Sequence, residues 1–170
     1  MIIILLGVLL LINTALFSLP GFPGSLSKII ELAPGQKPPD VRLFYSPNEF
    51  YEFLTEIGPK GRYAFQIMHL TADLSFPLLY GMFFFLLIRF FALEQFRFLS
   101  WLGVITSIID LAENITHLYI TNIFPTQKQY LVRIAQIFTI SKFAMIVICL
   151  FVLGYLITSR NIIRLKHKQA

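Results

Sequence analysis

The stretch WLGVITSIIDLAENITHLYITN, residues 101–122, is apolar and long enough to cross a bilayer, yet it carries four strongly polar side chains. Asp110, Glu113, Asn114 and His117 stand at offsets of 0, +3, +4 and +7, which place them on one helical face. A charged group at the centre of a membrane helix costs about 2.5–3.5 kcal/mol on insertion scales. This polar stripe should therefore face protein or a water-filled cavity, and the rest of the chain is expected to supply its partners.

The composition of the whole chain points to a membrane protein. Of 170 residues, 56% are hydrophobic and only 14% are charged, whereas soluble domains contain about 25% charged residues. The formal net charge of +5 comes substantially from the basic tail at 159–170 and is not interleaved with recognition elements, so no nucleic-acid partner is expected. The sequence predicts one integral membrane domain.

The apolar runs predict an all-α, polytopic membrane protein, a bundle of four transmembrane helices. Between the first two helices lies a long loop, at 19–62, with no apolar run that could span a bilayer. Within this loop, Ser46 and Pro47 give a helix start and Gly58 gives a stop, so a short amphipathic helix is expected over 47–57. The transmembrane helices are expected at about 2–18, 63–91, 99–122 and 130–158.

The distribution of basic residues predicts the orientation. Four crossings would put both termini on one side of the membrane, and the basic turn at 89–97 and the basic tail would place that side in the cytoplasm. The long loop is then extracytoplasmic. The membrane expected is the bacterial inner membrane, or the endoplasmic reticulum in a eukaryote.

The second predicted helix carries its own polar face, formed by Gln66, His69, Asp73 and Tyr80. Pro77 follows Asp73 by four residues, so it cannot donate to the carbonyl of residue 73, and a kink is expected there. A carbonyl freed at membrane depth needs a partner. The kink is either a binding site or a bend satisfied by a neighbouring side chain or water, and both readings stay open.

The fourth predicted helix supplies Arg133, Gln136 and Lys142. At about 1.5 Å per residue, Asp110 and Lys142 fall at the same depth, near the middle of the bilayer, while Arg133 stays near the outer surface. Asp110 and Lys142 are therefore expected to approach closely. Asp73 and Glu113 would then lie near one another without a dedicated cation, and one of them is expected to keep its proton.

The leading functional hypothesis is a buried, ionisable cavity that binds or carries a membrane lipid or another amphipathic small molecule, with proton coupling left open. A lipid-modifying enzyme working by acid–base or metal chemistry is the alternative, and a structural or assembly subunit is a further one. Catalytic candidates are His69, Asp73, Glu113 and His117. The ligand-binding candidates are Gln66, His69, Asp73, Tyr80, Asp110, Glu113, Asn114, His117, Gln136 and Lys142.

Metal binding is a separate possibility, because the second predicted helix carries H-x-x-x-D and the third carries E-x-x-x-H. Two histidines and two carboxylates could hold zinc, or iron with open positions. Pairs of this kind are common on helices, so no metal or other cofactor is assigned. A divalent ion, if one is bound, would use His69, Asp73, Glu113 and His117.

The stretches YSPNEFYEFLTEIGPKGRYAFQ, HLTADLSFPLLYG and DLAEN resemble signatures of an uncharacterised family of small four-helix membrane proteins, mostly bacterial. This resemblance extends from Tyr45 to Asn114 and implies no function. In length, helix count and long first loop, the chain is also similar to the EXPERA domain of sterol isomerases and sigma-2-type receptors. There His69 and Asp73 match a histidine and an acidic residue one turn apart, whereas a tryptophan of the fourth helix has no counterpart here.

Overall fold

The computed structural model describes residues 1–32, 34–35 and 37–169, with side chains described up to residue 160. All regular secondary structure in these ranges is helical, which confirms the all-α prediction. Two 3-10 turns, Pro39–Val41 and Glu94–Ser100, accompany the α-helices. The α-helices are α1 Ile2–Ser18, α2 Leu26–Leu32, α3 Pro47–Glu56, α4 Gly58–Leu70, α5 Ala72–Phe91, α6 Trp101–Ile123 and α7 Gln129–Gln169.

Three stretches of the described chain are long and apolar enough to cross a membrane: Gly58–Phe91, Glu94–Ile123 and Gln129–Arg160. These helices fit an integral membrane protein. Helix α1 has 17 residues, somewhat fewer than the roughly 20 that usually span a bilayer. The four-helix bundle with α1 as a crossing therefore stays a prediction.

The packing has the polarity expected of a protein in lipid. Large apolar side chains point outward along the long helices, including Ile108 at 60% exposure and Phe151 at 75%. Several ionisable side chains of the long helices lie inside, and among them Glu113 and His117 are fully buried. Soluble proteins rarely expose apolar surface so continuously, whereas lipid tails solvate it well.

The second predicted helix, expected as one piece over 63–91, begins earlier and is divided in two. Helix α4 ends at Leu70 and α5 begins at Ala72, because Thr71 adopts a non-helical conformation (φ −123°, ψ −95°). The break thus lies at Thr71, whereas the sequence predicts a kink at Pro77, which lies inside α5. Hydrogen bonding explains part of this arrangement, since the Thr71 hydroxyl donates to the Ile67 carbonyl at 2.6 Å and closes the end of α4.

The long loop packs onto the bundle. Helix α3 starts where the sequence predicts, because the Ser46 hydroxyl accepts from the Glu49 amide while the Glu49 carboxylate accepts from the Ser46 amide. Its apolar side buries Phe50, Phe53 and Leu54 completely. Gly24 lies so near α4 that a β-carbon there would come within 2.7 Å of the Met68 amide nitrogen.

The last helix is longer than its predicted span of 130–158. Helix α7 continues to Gln169, through the region expected to be a separate tail. The sequence supplies the reason, because no glycine or proline follows Gly154 to end the helix.

Helices α5 and α6 approach each other through small residues. A β-carbon on Gly103 would lie 2.5 Å from the Gly81 carbonyl oxygen and 2.8 Å from the Phe85 amide nitrogen. A β-carbon on Gly81 would lie 2.6 Å from the β-carbon of Ser107. Because these neighbours are mostly backbone, the two helices can pack this closely only with glycine at both positions.

Gly103→Ala is therefore expected to lower the free energy of unfolding by about 1–3 kcal/mol, since the added methyl must push α5 and α6 apart. Thermal unfolding in a neutral detergent measures the change. Gly154→Ala is the matched control, because nothing lies within 4 Å of the β-carbon position there and alanine favours the helix. Equal melting temperatures for the two variants would contradict the close packing.

Candidate functional site

The polar stripe of α6 is buried at every position. Asp110 and Asn114 are each 3% exposed, and Glu113 and His117 are fully covered. Helices α5 and α7 pack along α6 and cover this face. The burial agrees with the expectation that a stripe of this kind faces protein.

Lys142 of α7 lies between two acids of the stripe. Its Nζ is 2.8 Å from Oε2 of Glu113 and 3.3 Å from Oδ1 of Asp110. The approach of Asp110 and Lys142 is as predicted. The expectation that Glu113 lacks a dedicated cation is wrong, because residues 110 and 113 are one turn apart and one ammonium group reaches both.

Hydroxyl groups extend this ion pair in two directions. The Tyr80 hydroxyl donates to Oδ2 of Asp110 at 2.8 Å, and the Thr139 hydroxyl donates to Oε1 of Glu113 at 2.7 Å. Both carboxylates are thus held by a cation and a neutral donor, which is the arrangement that makes buried charge tolerable.

A tyrosine of the loop completes the same set of contacts. The Tyr45 hydroxyl lies 2.9 Å from Nε2 of His117 and 3.2 Å from Oγ1 of Thr139, and burial raises the pKa of this hydroxyl, which keeps it protonated. Sequence reasoning missed Tyr45, because it stands in an irregular segment where no helical spacing predicts its direction.

The residues joined by these contacts are called the polar cluster below. The polar cluster consists of Tyr45, Tyr80, Asp110, Glu113, His117, Thr139 and Lys142.

A second polar unit lies at the break between α4 and α5. Nδ1 of His69 and Oδ2 of Asp73 are 2.7 Å apart, so this side-chain contact bridges the interruption at Thr71. The carbonyl of Asp73, freed by Pro77, accepts from Nδ2 of Asn114 at 2.8 Å. Of the two readings of the freed carbonyl, the neighbouring side chain is the one observed.

Two of the predicted ligand-binding residues stand apart from these contacts. Gln66 and Gln136 are half-buried, and within the described part of the chain neither side chain is hydrogen-bonded to the polar cluster. Arg133 is exposed, and its position near the outer membrane surface stays a prediction.

The four metal-ligand candidates do not converge on a metal-binding arrangement. In the described ranges, no three His, Cys, Asp or Glu side chains are placed to hold a metal ion. One atom of each side chain contacts another residue, since His69 meets Asp73, His117 meets Tyr45 and Glu113 meets Lys142. The described side chains therefore show no zinc or iron site of the kind considered from the sequence.

A cavity of about 380 Å³ lies beside the polar cluster. Helices α1, α5, α6 and α7 form its sides, and the 3-10 turn Pro39–Val41 contributes the loop residues of its wall. Helix α3 contributes none of the lining. The lining residues are Asn13, Thr14, Phe17, Asp40, Val41, Asp73, Phe76, Tyr80, Asp110, Lys142, Phe143 and Ile146.

Asp40 is the acid that sequence reasoning missed in this wall. It is 6% exposed, and its Oδ1 has no hydrogen-bond partner among the described atoms. Burial raises the pKa of Asp40 to about 6, and the nearby charge of Asp73 adds to the rise, while His69 and Lys142 oppose it. No periodicity could have indicated this residue, because it lies in a proline-rich segment outside the α-helices, in the short 3-10 turn Pro39–Val41.

Acidic groups outnumber basic ones around the cavity. Asp40, Asp73 and Asp110 line it with Lys142, which also serves Glu113 behind the wall. Like charges in a poorly hydrated space cannot all stay ionised, so protons or a bound cation must offset the excess.

The chain matches no protein-family model, no curated protein and no solved structure. The resemblances to the uncharacterised membrane family and to the EXPERA domain stay predictions.

The pKa of Asp40 gives a pH-dependent prediction. The folded chain holds this proton up to about pH 6, whereas the unfolded chain releases it near 3.8. Stability is therefore complete below about pH 4 and falls by about 3 kcal/mol as the pH rises through 6. Asp40→Asn should melt at a higher temperature than the wild type near neutral pH and at a similar one near pH 4.

Thermal unfolding across this range measures the difference, and Glu49→Gln is the control. Hydrogen bonds from Ser46 lower the pKa of the exposed Glu49 carboxyl, so its contribution is present at neutral pH and is lost on acidification. The two variants should thus differ from the wild type in opposite directions at neutral pH. If the difference in melting temperature between Asp40→Asn and the wild type does not change with pH, the raised pKa of the buried Asp40 carboxyl is contradicted.

Proposed function

We propose that this membrane protein binds or carries a membrane lipid or another amphipathic small molecule in the cavity beside the polar cluster. In this proposal α1 is a fourth transmembrane helix, because it packs along α5 and forms one wall of the cavity. Asn13, its buried polar residue, donates a hydrogen bond to the Ser75 hydroxyl of α5. An interhelical hydrogen bond of this kind favours helix association in lipid.

The observation that carries the proposal is the division of the cavity wall. Phe17, Phe76 and Phe143 offer an apolar surface, while Asp73 and Lys142 offer charged groups in the same space. Sites for small molecules commonly combine apolar walls with a few polar groups that fix the orientation of the ligand. An amphipathic molecule satisfies both parts, with its chain against the aromatic rings and its polar head at the ionisable side chains.

The excess of carboxyl groups supports coupling of binding to protonation. A ligand head that meets Asp40, Asp73 or Asp110 changes which of these groups can stay ionised, because each acid raises the cost of charge on its neighbours. Binding should therefore release or take up protons.

An acid–base enzyme is the second candidate, and the His69–Asp73 contact favours it. A carboxylate that is hydrogen-bonded to Nδ1 of a histidine fixes the orientation of the ring and leaves Nε2 as the reactive nitrogen. Nε2 of His69 has no hydrogen-bond partner in the described chain. Asp73 reaches the cavity wall whereas His69 does not line it, so binding stays the leading proposal.

The orientation proposed keeps both termini in the cytoplasm, in a bacterial inner membrane or in the endoplasmic reticulum. The basic residues near the turn Glu94–Ser100 support this assignment. A cysteine introduced at Gln95 should react with a membrane-impermeant thiol reagent only from the cytoplasmic side, and labelling from the other side would reverse the assignment.

Filling the cavity tests the proposed function. Ile146→Trp places a large ring in the lining of the cavity, so it should reduce the lipid that copurifies with the protein in a neutral detergent. Ile148→Trp is the matched control, because Ile148 lies on the same helix, is 43% exposed and does not line the cavity. Mass spectrometry of extracted lipid, expressed per mole of protein, measures both.

The outcomes separate the candidates. Loss of one bound compound in Ile146→Trp alone supports a binding site. The enzyme would be favoured if the wild type binds two compounds that are related as substrate and product of an acid–base-catalysed reaction, and if Ile146→Trp loses both. Equal lipid content in the wild type and in Ile146→Trp would refute the binding cavity.

A further inference from the structure

Basic residues gather at one end of the bundle, defined here as the tail end, where the turn Glu94–Ser100 meets the last part of α7. The chain holds 14 Lys and Arg and 9 Asp and Glu. Glu94 is the single acidic residue in the turn, and residues 161–170 contain no Asp or Glu. The basic residues at or beyond this end are Arg89, Arg97, Arg160, Arg164, Lys166 and Lys168.

Arg160 is held at this end by contacts that leave its charge without an acidic partner among the side chains described up to residue 160. Its Nη1 donates to the Phe90 carbonyl at 2.8 Å, where α5 ends and its last carbonyls need donors. The guanidinium also lies 5.1 Å from the centre of the Phe90 ring and 5.7 Å from that of Phe91. These contacts fix the orientation of the group and leave further N–H donors for a ligand.

Arg89 is the second cation without a carboxylate partner among the described side chains of this end. It is exposed, with its guanidinium 5.9 Å from the centre of the Phe85 ring. That ring packs edge-on against Trp101, which is 58% exposed. Tryptophan and arginine together at a helix end mark the level of lipid head groups. Arg97 differs, because it forms an ion pair with Glu94 at 2.8 Å.

We propose that Arg89 and Arg160 each contact the phosphate group of an anionic phospholipid at the tail end of the bundle. A guanidinium matches phosphate oxygens with two parallel N–H donors, and it is less strongly hydrated than an ammonium group. The exposed apolar surface below these residues, such as Phe90 at 59%, suits the acyl chains. The site is distinct from the internal cavity and does not depend on the function proposed for it.

Retention of defined lipids tests the site. The full chain, purified in a neutral detergent, is mixed with phosphatidylglycerol or phosphatidylcholine of the same acyl chains, and bound lipid is counted by native mass spectrometry. The wild type should retain phosphatidylglycerol in preference. Arg89→Gln and Arg160→Gln should each reduce that retention about five-fold, the equivalent of about 1 kcal/mol per basic residue near a membrane surface.

Two controls make the result specific. Arg97→Gln lies at the same end but removes a cation already paired with Glu94, and Arg133→Gln removes an exposed cation from another position on α7. Both should retain phosphatidylglycerol at about the wild-type level, because neither variant removes Arg89 or Arg160. Within the described side chains, Arg89 makes a ring contact with Phe85 and no hydrogen bond, so Arg89→Gln should fold normally. This variant keeps the test valid if Arg160→Gln does not fold.

Three results would overturn the proposal: equal retention of the two lipids by the wild type, equal losses in the control variants, or displacement of phosphatidylglycerol by an equal concentration of inorganic phosphate. The last result would assign the site to free phosphate. Preference for phosphatidylglycerol that is lost only in Arg89→Gln and Arg160→Gln establishes the site.

Discussion

The ion pair of Lys142 with Asp110 and Glu113 is the constraint on which the rest of the structure depends. Burying charged groups is expensive, and only close mutual contact with further hydrogen bonds offsets the cost. Lys142 therefore fixes how α7 lies against α6, and Tyr80 joins α5 to the same acids. The close approach of α5 and α6 at Gly103 brings these polar groups within reach. The loop is tied in through Tyr45, so a single set of contacts joins three helices and the long loop.

The same contacts shape the cavity. Asp110 and Lys142 belong both to the ion pair and to the cavity wall, so the groups that hold the helices together also face any occupant. Asp73 likewise makes two kinds of contact, since it lines the cavity and also contacts His69 across the break between α4 and α5. In the proposed function, a ligand that changes the charge of these acids would therefore also change the packing of the bundle.

Helical periodicity explains how much of this site could be predicted. The spacing of polar residues between Asp110 and His117 predicted a buried face, and depth alone matched Lys142 to Asp110, because both follow from the rise per residue of a helix. Tyr45 and Asp40 could not be predicted, because neither lies in an α-helix, whose periodicity would indicate the direction of the side chain. The break at Thr71 was also missed, because the short-range hydrogen bonds at this position, such as that from the Thr71 hydroxyl to the Ile67 carbonyl, occur within unbroken helices as well and do not indicate an interruption.

The central claim is that Lys142 is needed because it neutralises Asp110 and Glu113 inside the bundle. Thermal or chemical unfolding of Lys142→Met tests it most directly, with the triple variant that adds Asp110→Asn and Glu113→Gln as the reference. Removing the lysine alone leaves buried carboxylates without a cation, so a loss of about 3–5 kcal/mol is expected, and the neutral triple variant should recover most of it. A loss below about 1 kcal/mol for Lys142→Met, as for an exposed ion pair, or no recovery in the triple variant, would contradict the account.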